Sequence, residues 1–240
     1  MIWFGNIGTL IANETAPPPR ANAPEHERMR HALELVATHA PQLAGRELVD
    51  ALARTGWVDE KTAARLLPRF GHFDPDRHFN DHLRRLSFRG RDSADAFRAG
   101  VRRVVEDLTG NAAVREVGPE TAIHFTRGEH QGIVLAYPEV HFSIGGPTRE
   151  AVEQAVQEMP DSLVVIARNF GRDTAAHLSG LLAGTEVPGT LVTVNLLLGI
   201  RAMSLRYQPD TERVLGLLST GRPLRSTDVA RLGDRVTAAV

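Results

Sequence analysis

Lysine is almost absent from this sequence: of 28 Lys+Arg residues only Lys61 is lysine. That excludes a phosphate loop of the Walker type, which needs a glycine-rich turn ending in lysine. It also leaves a Schiff-base or general-base lysine no position but Lys61, which reads as an exposed helix start. The positive charge is arginine, which binds carboxylates and phosphates bidentately but stays protonated and makes a poor base. Cysteine is missing altogether, so disulfides, thiolate nucleophiles and zinc–thiolate sites are excluded. Aromatics are 5% of the chain, and none interleave with arginines in a clear stripe, which speaks against an exposed single-strand stacking platform. Charge of one sign is lacking too. The formal net charge is -1, so a wholly basic coat is excluded while a local basic face is not. The apolar start MIWFGNIGTLIA is about half a membrane span and has no basic leader. NLLLGIRAM, near residue 195, is also too short to span. We expect no membrane association and a cytoplasmic setting.

What is present, at 42% hydrophobic residues in 240, suffices for one domain or two small ones. We divide the chain into an apolar segment with a Pro-rich connector (1–24), a helical region (25–92), an α/β core (93–205) and a helical extension (206–240). In the helical region, Met29, Leu33, Leu35 and Val36 give a helix ending before Pro41. GRELVDALAR (45–54) and EKTAARLL follow, the latter with Asp59 as a candidate cap. Two short helices across a turn fit a helix-turn-helix or a plain bundle. In the first case Arg54, Lys61, Arg65 and Arg69 would meet phosphates. After Pro75, the arginines at 77, 84, 85, 89, 91 and 98 form the strongest local basic patch. His78, Asp81 and His82 share a helical face. That spacing suits metal ligands or an ordinary solvated surface.

The core pattern changes period. A helix over 93–109 carries the apolar stripe Phe97, Val101, Val104, Val105 and Leu108, with Ser93 at its start and Gly110 as its stop. AAVREV, TAIHFT, GIVLAY and VHFSI read as strands. A helix opening at Pro147 follows, then the apolar strand SLVVIA, a helix at GRDTAAHLSGLL and a strand TLVTVN ending at Asn195. Solid apolar strands between helices imply a sheet covered on both faces. The tail holds TERVLGLLSTG and a last short helix that Ser226 or Thr227 would cap.

The segments RRVVEDLTG, GIVLAYPEV, REAVEQAVQEMPDSLVVIARNF and RDTAAHL, under half of the chain, resemble the restriction-endonuclease-like core. The resemblance is to its Mrr-type and Holliday-junction-resolvase-like branch. It implies an α/β fold, a mixed sheet flanked by helices. It also implies an acidic residue followed, on the next strand, by acid-x-Lys, the carboxylates holding Mg²⁺ to offset charge on the scissile phosphate. Glu106, Glu120, Glu129 and Glu139 are the acids in this region. Glu120 stands near the first acidic position and Glu139 near the second, but no lysine follows either. Both also read as plain turn acids at strand boundaries.

Other candidate contacts surround that core. Gly145 and Gly146 sit in a strand-to-helix turn whose N–H groups could face an anion. Arg168 and Asn169, with Arg172 and Asp173, fall at the carboxyl end of a strand, where α/β sheets place ligands. Arg84, Arg85 and Arg102 complete the anion-binding set. His124, His130 and His141 fall in or between adjacent strands. The sequence thus favours a nucleic-acid-associated protein with a degenerate nuclease-like core, binding DNA without cleaving it and needing no cofactor. One alternative is a metal-dependent DNA endonuclease using Mg²⁺ at Glu120 and Glu139. Another is an interaction subunit, homodimeric through Ile2, Trp3, Phe4 and Ile7. The weakest is a small-molecule enzyme joining Gly145, Gly146, Arg168, Asn169 and His141.

Overall fold

The computed structural model describes residues 19–20, 22–41, 43–88, 93–110, 113–117, 122–138 and 147–233. The chain divides into two units, Met1–His82 and Leu83–Val240. In the first, α1 is Glu25–His39, α2 Gly45–Arg54 and α3 Glu60–Leu66, followed by a 3₁₀ turn at Leu67–Phe70. The predicted stop before Pro41 holds, since α backbone is disfavoured just before proline. Met29, Leu33 and Val36 of α1, Val49 and Leu52 of α2, and Ala63 and Leu66 of α3 form one buried cluster. Each large side chain so buried contributes about 1.5–3 kcal/mol. Asp59 caps α3 as expected, its Oδ1 accepting the Thr62 N–H at 2.8 Å. The bond to the charged form holds the Asp59 carboxyl below its ordinary value. Of the phosphate-contact candidates here, Arg65 pairs with Glu25 at 2.5 Å, while Lys61 and Arg69 are exposed.

α4, Pro75–Leu86, contains the division between the units. The second unit continues with α5 (Ala94–Leu108), β1 (Ala113–Val117), β2 (Ala122–Arg127), β3 (His130–Tyr137), α6 (Pro147–Gln157), β4 (Ser162–Ala167), α7 (Arg172–Ala183) and β5 (Gly189–Thr193). α8 (Val194–Tyr207), α9 (Thr211–Leu218), α10 (Ser226–Ala230) and a 3₁₀ turn at Arg231–Gly233 complete it. The strands form one five-stranded sheet in the order β1-β2-β3-β4-β5. β1, β2 and β3 pair antiparallel, whereas β3, β4 and β5 pair parallel.

Alternation along the strands builds two cores. Ile133, Leu135, Leu163, Val165 and Leu191 face Ala151, Val152 and Ala155 of α6 and Leu178 and Leu182 of α7. The intervening Val134, Val164, Ile166 and Val192 are buried on the opposite face, where α5 and α8 pack on the sheet and on each other. Every residue of β4 is therefore buried, which explains its unbroken apolar run. Gly132 is required on β3: a Cβ there would meet the Phe125 ring at 2.1 Å. Gly110, at φ +67°, ends α5 as read from the sequence.

Two local expectations are corrected. β5 stops at Thr193, short of Asn195, because Thr193 Oγ1 accepts the Leu196 N–H and starts α8. NLLLGIRAM is consequently helical. Ser93 stands at the start of α5 as read, but its hydroxyl makes no capping bond and donates instead to the Leu86 carbonyl at 2.8 Å. Neither Ser226 nor Thr227 caps α10, where the Arg225 N–H instead donates to the Asp228 carboxylate at 2.8 Å. VHFSI and the apolar start with Ile2, Trp3, Phe4 and Ile7 lie outside the described residues. Among those described, no helix is long and apolar enough to cross a membrane.

Candidate functional site

The parallel register aligns Tyr137, Ala167 and Thr193, the last residues of β3, β4 and β5. The chain therefore leaves β4 and β5 at one edge of the sheet, at Arg168–Asn169 and Val194–Asn195. The end of α4 is drawn to this edge. Arg84 Nε donates to Asn195 Oδ1 at 3.1 Å. The Arg168 guanidinium lies over the Phe88 ring, 3.6 Å from its centroid. Buried Leu83 and Leu86 hold the helix down, and Ser87 Oγ donates to the Arg84 carbonyl at 2.6 Å. Arg85, Asn169 and Arg172 are exposed and Arg168 is half-buried. Among the described residues, no ion pair engages Arg85, Arg168 or Arg172. α7 and α8 both begin here, so their N-terminal N–H groups add partial positive charge, against one acid, Asp173, in the first turn of α7.

The acids behave differently. Glu106 is buried on α5, with Arg102 Nε at 3.1 Å and Arg103 Nη1 at 3.5 Å. Its neighbour Asp107 takes Arg103 at 3.0 Å and the buried Arg201 of α8 at 2.9 Å. These groups tie α5 to α8. Two guanidinium groups thus take up part of the acceptor capacity of the Glu106 carboxylate. Arg102, expected among the anion contacts, is likewise held by Glu106. Glu120, Glu139, Gly145, Gly146 and His141 lie outside the described residues. β3 itself, HQGIVLAY, carries neither a carboxylate nor a lysine, so no acid-x-Lys motif stands on that strand.

The histidines are placed for packing. His124 Nδ1 lies 3.6 Å from Glu158. His130 stacks on Phe125, and its Nε2 lies 3.0 Å from Ser162 Oγ. Although this looks like a nucleophile with its base, Ser162 is fully buried and no substrate reaches it. His78 sits 3.3 Å from Thr38 Oγ1 and leans on Phe73, and Asp81 is 4.0 Å from Arg77. With His82 they do not converge: among the described residues no three His, Cys, Asp or Glu could hold a metal ion.

Arg84 and Arg168, candidates from the sequence, thus lie at this edge against Asn195 and Phe88, two residues that the sequence does not single out. Phe88 carried one available signal, an aromatic directly after the Arg84–Arg85 pair, but nothing local pointed it at Arg168.

The second unit is thus an α/β protein, a mixed sheet flanked by helices. Among the described residues its order is helix, three strands, helix, strand, helix, strand. No protein-family model and no curated protein matches the chain. Among solved structures it is similar to the restriction endonuclease FokI, at 14% identity and a TM-score of 0.48 over 67% of this chain. The chain spans 33% of that protein's length.

Proposed function

We propose that this protein binds DNA through the carboxyl edge of its parallel strands and does not cleave it. The observation that carries the reading is the arginine set at that edge, Arg168, Arg85 and Arg172, left without carboxylate partners among the described residues. Exposed arginines beside helix N-termini suit phosphate oxygens, the dominant source of DNA affinity. The missing acid-x-Lys on β3 and the commitment of Glu106 to Arg102 and Arg103 support binding over hydrolysis. On this reading the chain is a non-cleaving member of the Mrr-type or Holliday-junction-resolvase-like branch, serving DNA processing or defence, and needs no metal for its affinity.

The test is titration of linear, nicked and branched DNA at several salt concentrations, then incubation with Mg²⁺ or Mn²⁺. Binding that weakens steeply with salt, with no strand scission, is expected. Cleavage abolished by Glu120→Ala or Glu139→Ala would establish the metal-dependent endonuclease instead. Absence of salt-dependent binding to any DNA would overturn the reading.

A further inference from the structure

Phe88 is the feature that phosphate binding leaves unexplained. It is a large aromatic side chain, 61% exposed, placed among cations rather than in a core. The Arg168 guanidinium at 3.6 Å from the ring centroid does two things. It holds the ring by a cation–π contact, and it sets a positive charge beside a flat apolar surface. The backbone beneath is braced as well. The Phe88 N–H donates to the Arg85 carbonyl at 3.0 Å, the Ser87 hydroxyl to the Arg84 carbonyl at 2.6 Å, and Arg84 to Asn195 at 3.1 Å. An oriented aromatic plane beside the Arg168 guanidinium fits a nucleobase with its own phosphate.

From this we infer that Phe88 and Arg168 form a stacking site for an unpaired DNA base, so that the protein prefers DNA carrying single-stranded segments. In continuous duplex each base already stacks on two neighbours and presents only its edges. Only an overhang, gap or flap supplies a free π-face. The ring takes that face, and Arg168, with Arg85 nearby in the chain, meets the adjoining phosphate. Asn169, exposed and next to Arg168, offers an amide for the base edge. This inference rests on the DNA-binding reading above and narrows it to a substrate class.

The experiment compares the full chain and its variants on two probes of equal length, a closed duplex minicircle and a duplex with a single-stranded overhang. The overhang carries 2-aminopurine, whose fluorescence is quenched on stacking. Wild type is expected to bind the overhang DNA more tightly and to quench the probe. Phe88→Ala should lose about tenfold on the overhang DNA and keep its affinity for the minicircle. Phe88→Trp should retain quenching. Phe88→Leu, which keeps apolar bulk without a π-face, should behave like alanine. Arg168→Lys should weaken both probes less than Arg168→Ala, while losing part of the quenching because the planar stack is gone. Because Phe88 is exposed, unchanged melting temperatures should show these variants folded. Equal affinity of wild type for both probes, or equal losses on both in Phe88→Ala, overturns the stacking site while leaving DNA binding intact. Failure of wild type to bind either probe overturns both.

Discussion

Two groups of arginines in the second unit lie on either side of one distinction. On α5 and α8, Arg102, Arg103 and Arg201 surround Glu106 and Asp107 at 2.9–3.5 Å. At the ends of β4 and β5, Arg84 meets a neutral amide and Arg168 meets an aromatic ring. The residue type is the same and the sequence settings are similarly rich in charge. The first group spends its donors on carboxylates inside the protein; in the second, Arg168 has no carboxylate partner among the described residues. A tally of arginines along the chain treats Arg102 and Arg168 as equals. Only their partners separate a structural tie from a binding face.

The sharpest way to break this contrast is at Arg201, whose side chain is 2% exposed. Arg201→Met removes the guanidinium that neutralises Asp107 from α8. Breaking a buried pair costs about 3–5 kcal/mol. Arg103 still faces Asp107, so we expect about 3 kcal/mol, read from urea unfolding, with unchanged DNA affinity per folded molecule. A loss no larger than that of a surface substitution would erase the distinction.

Next in size are Arg168→Ala and Arg172→Ala. Each should leave stability within about 0.5 kcal/mol. Each should also lower the slope of log affinity against log salt by about 1 if it contacts a phosphate. An unchanged slope in both would show that the strand-end arginines do not meet DNA. Glu106→Gln sharpens the comparison from the other side. It weakens the hold on Arg102, which is one-third exposed. Affinity for duplex DNA at low salt should then rise by about twofold, measured by fluorescence anisotropy, with some loss of stability. If instead a cleavage activity disappears in Glu106→Gln, that acid belongs to a catalytic site.

Arg222 and Asp228 give an intermediate case, an exposed guanidinium on a buried carboxylate through bonds of 2.8 and 2.7 Å. The Arg222 hydrogen bond first, then the Arg225 N–H, hold the Asp228 carboxyl far below its ordinary value. A depressed carboxyl contributes stability that is complete above the unfolded value of about 3.9. That contribution declines as pH falls below it toward the folded value. Asp228→Asn should therefore melt below wild type at pH 7, and the gap should shrink by pH 3. A gap independent of pH would mean that the charge of Asp228 contributes nothing.

Much of the architecture was legible in the residues because its causes are local. The spacing of Phe97, Val101, Val104 and Val105 gave α5, the apolar SLVVIA gave β4, and Asp59 gave the start of α3. Errors fell where two local signals compete. TLVTVN continues in β-branched residues through Val194, yet the Thr193 hydroxyl caps a helix there. Ser226 and Thr227 look like caps, yet Asp228 takes the Arg225 N–H at that helix start. Of the candidate site, Arg84 and Arg168 could be named, but their partners could not.

By itself the sequence determined the chemistry open to this protein. With one lysine and no cysteine, arginine is its main means of holding anions. Apolar periodicity also set the order of helices and strands, because hydrophobic spacing acts within a few residues of chain. Tertiary structure decided which arginines are neutralised and which face outward. Arg84 finds Asn195 across 111 residues, and Phe88 finds Arg168 where the end of α4 reaches the ends of β4 and β5. Such pairings depend on the parallel register that brings those strand ends level and on contacts between residues far apart in the chain, and no local pattern encodes either one.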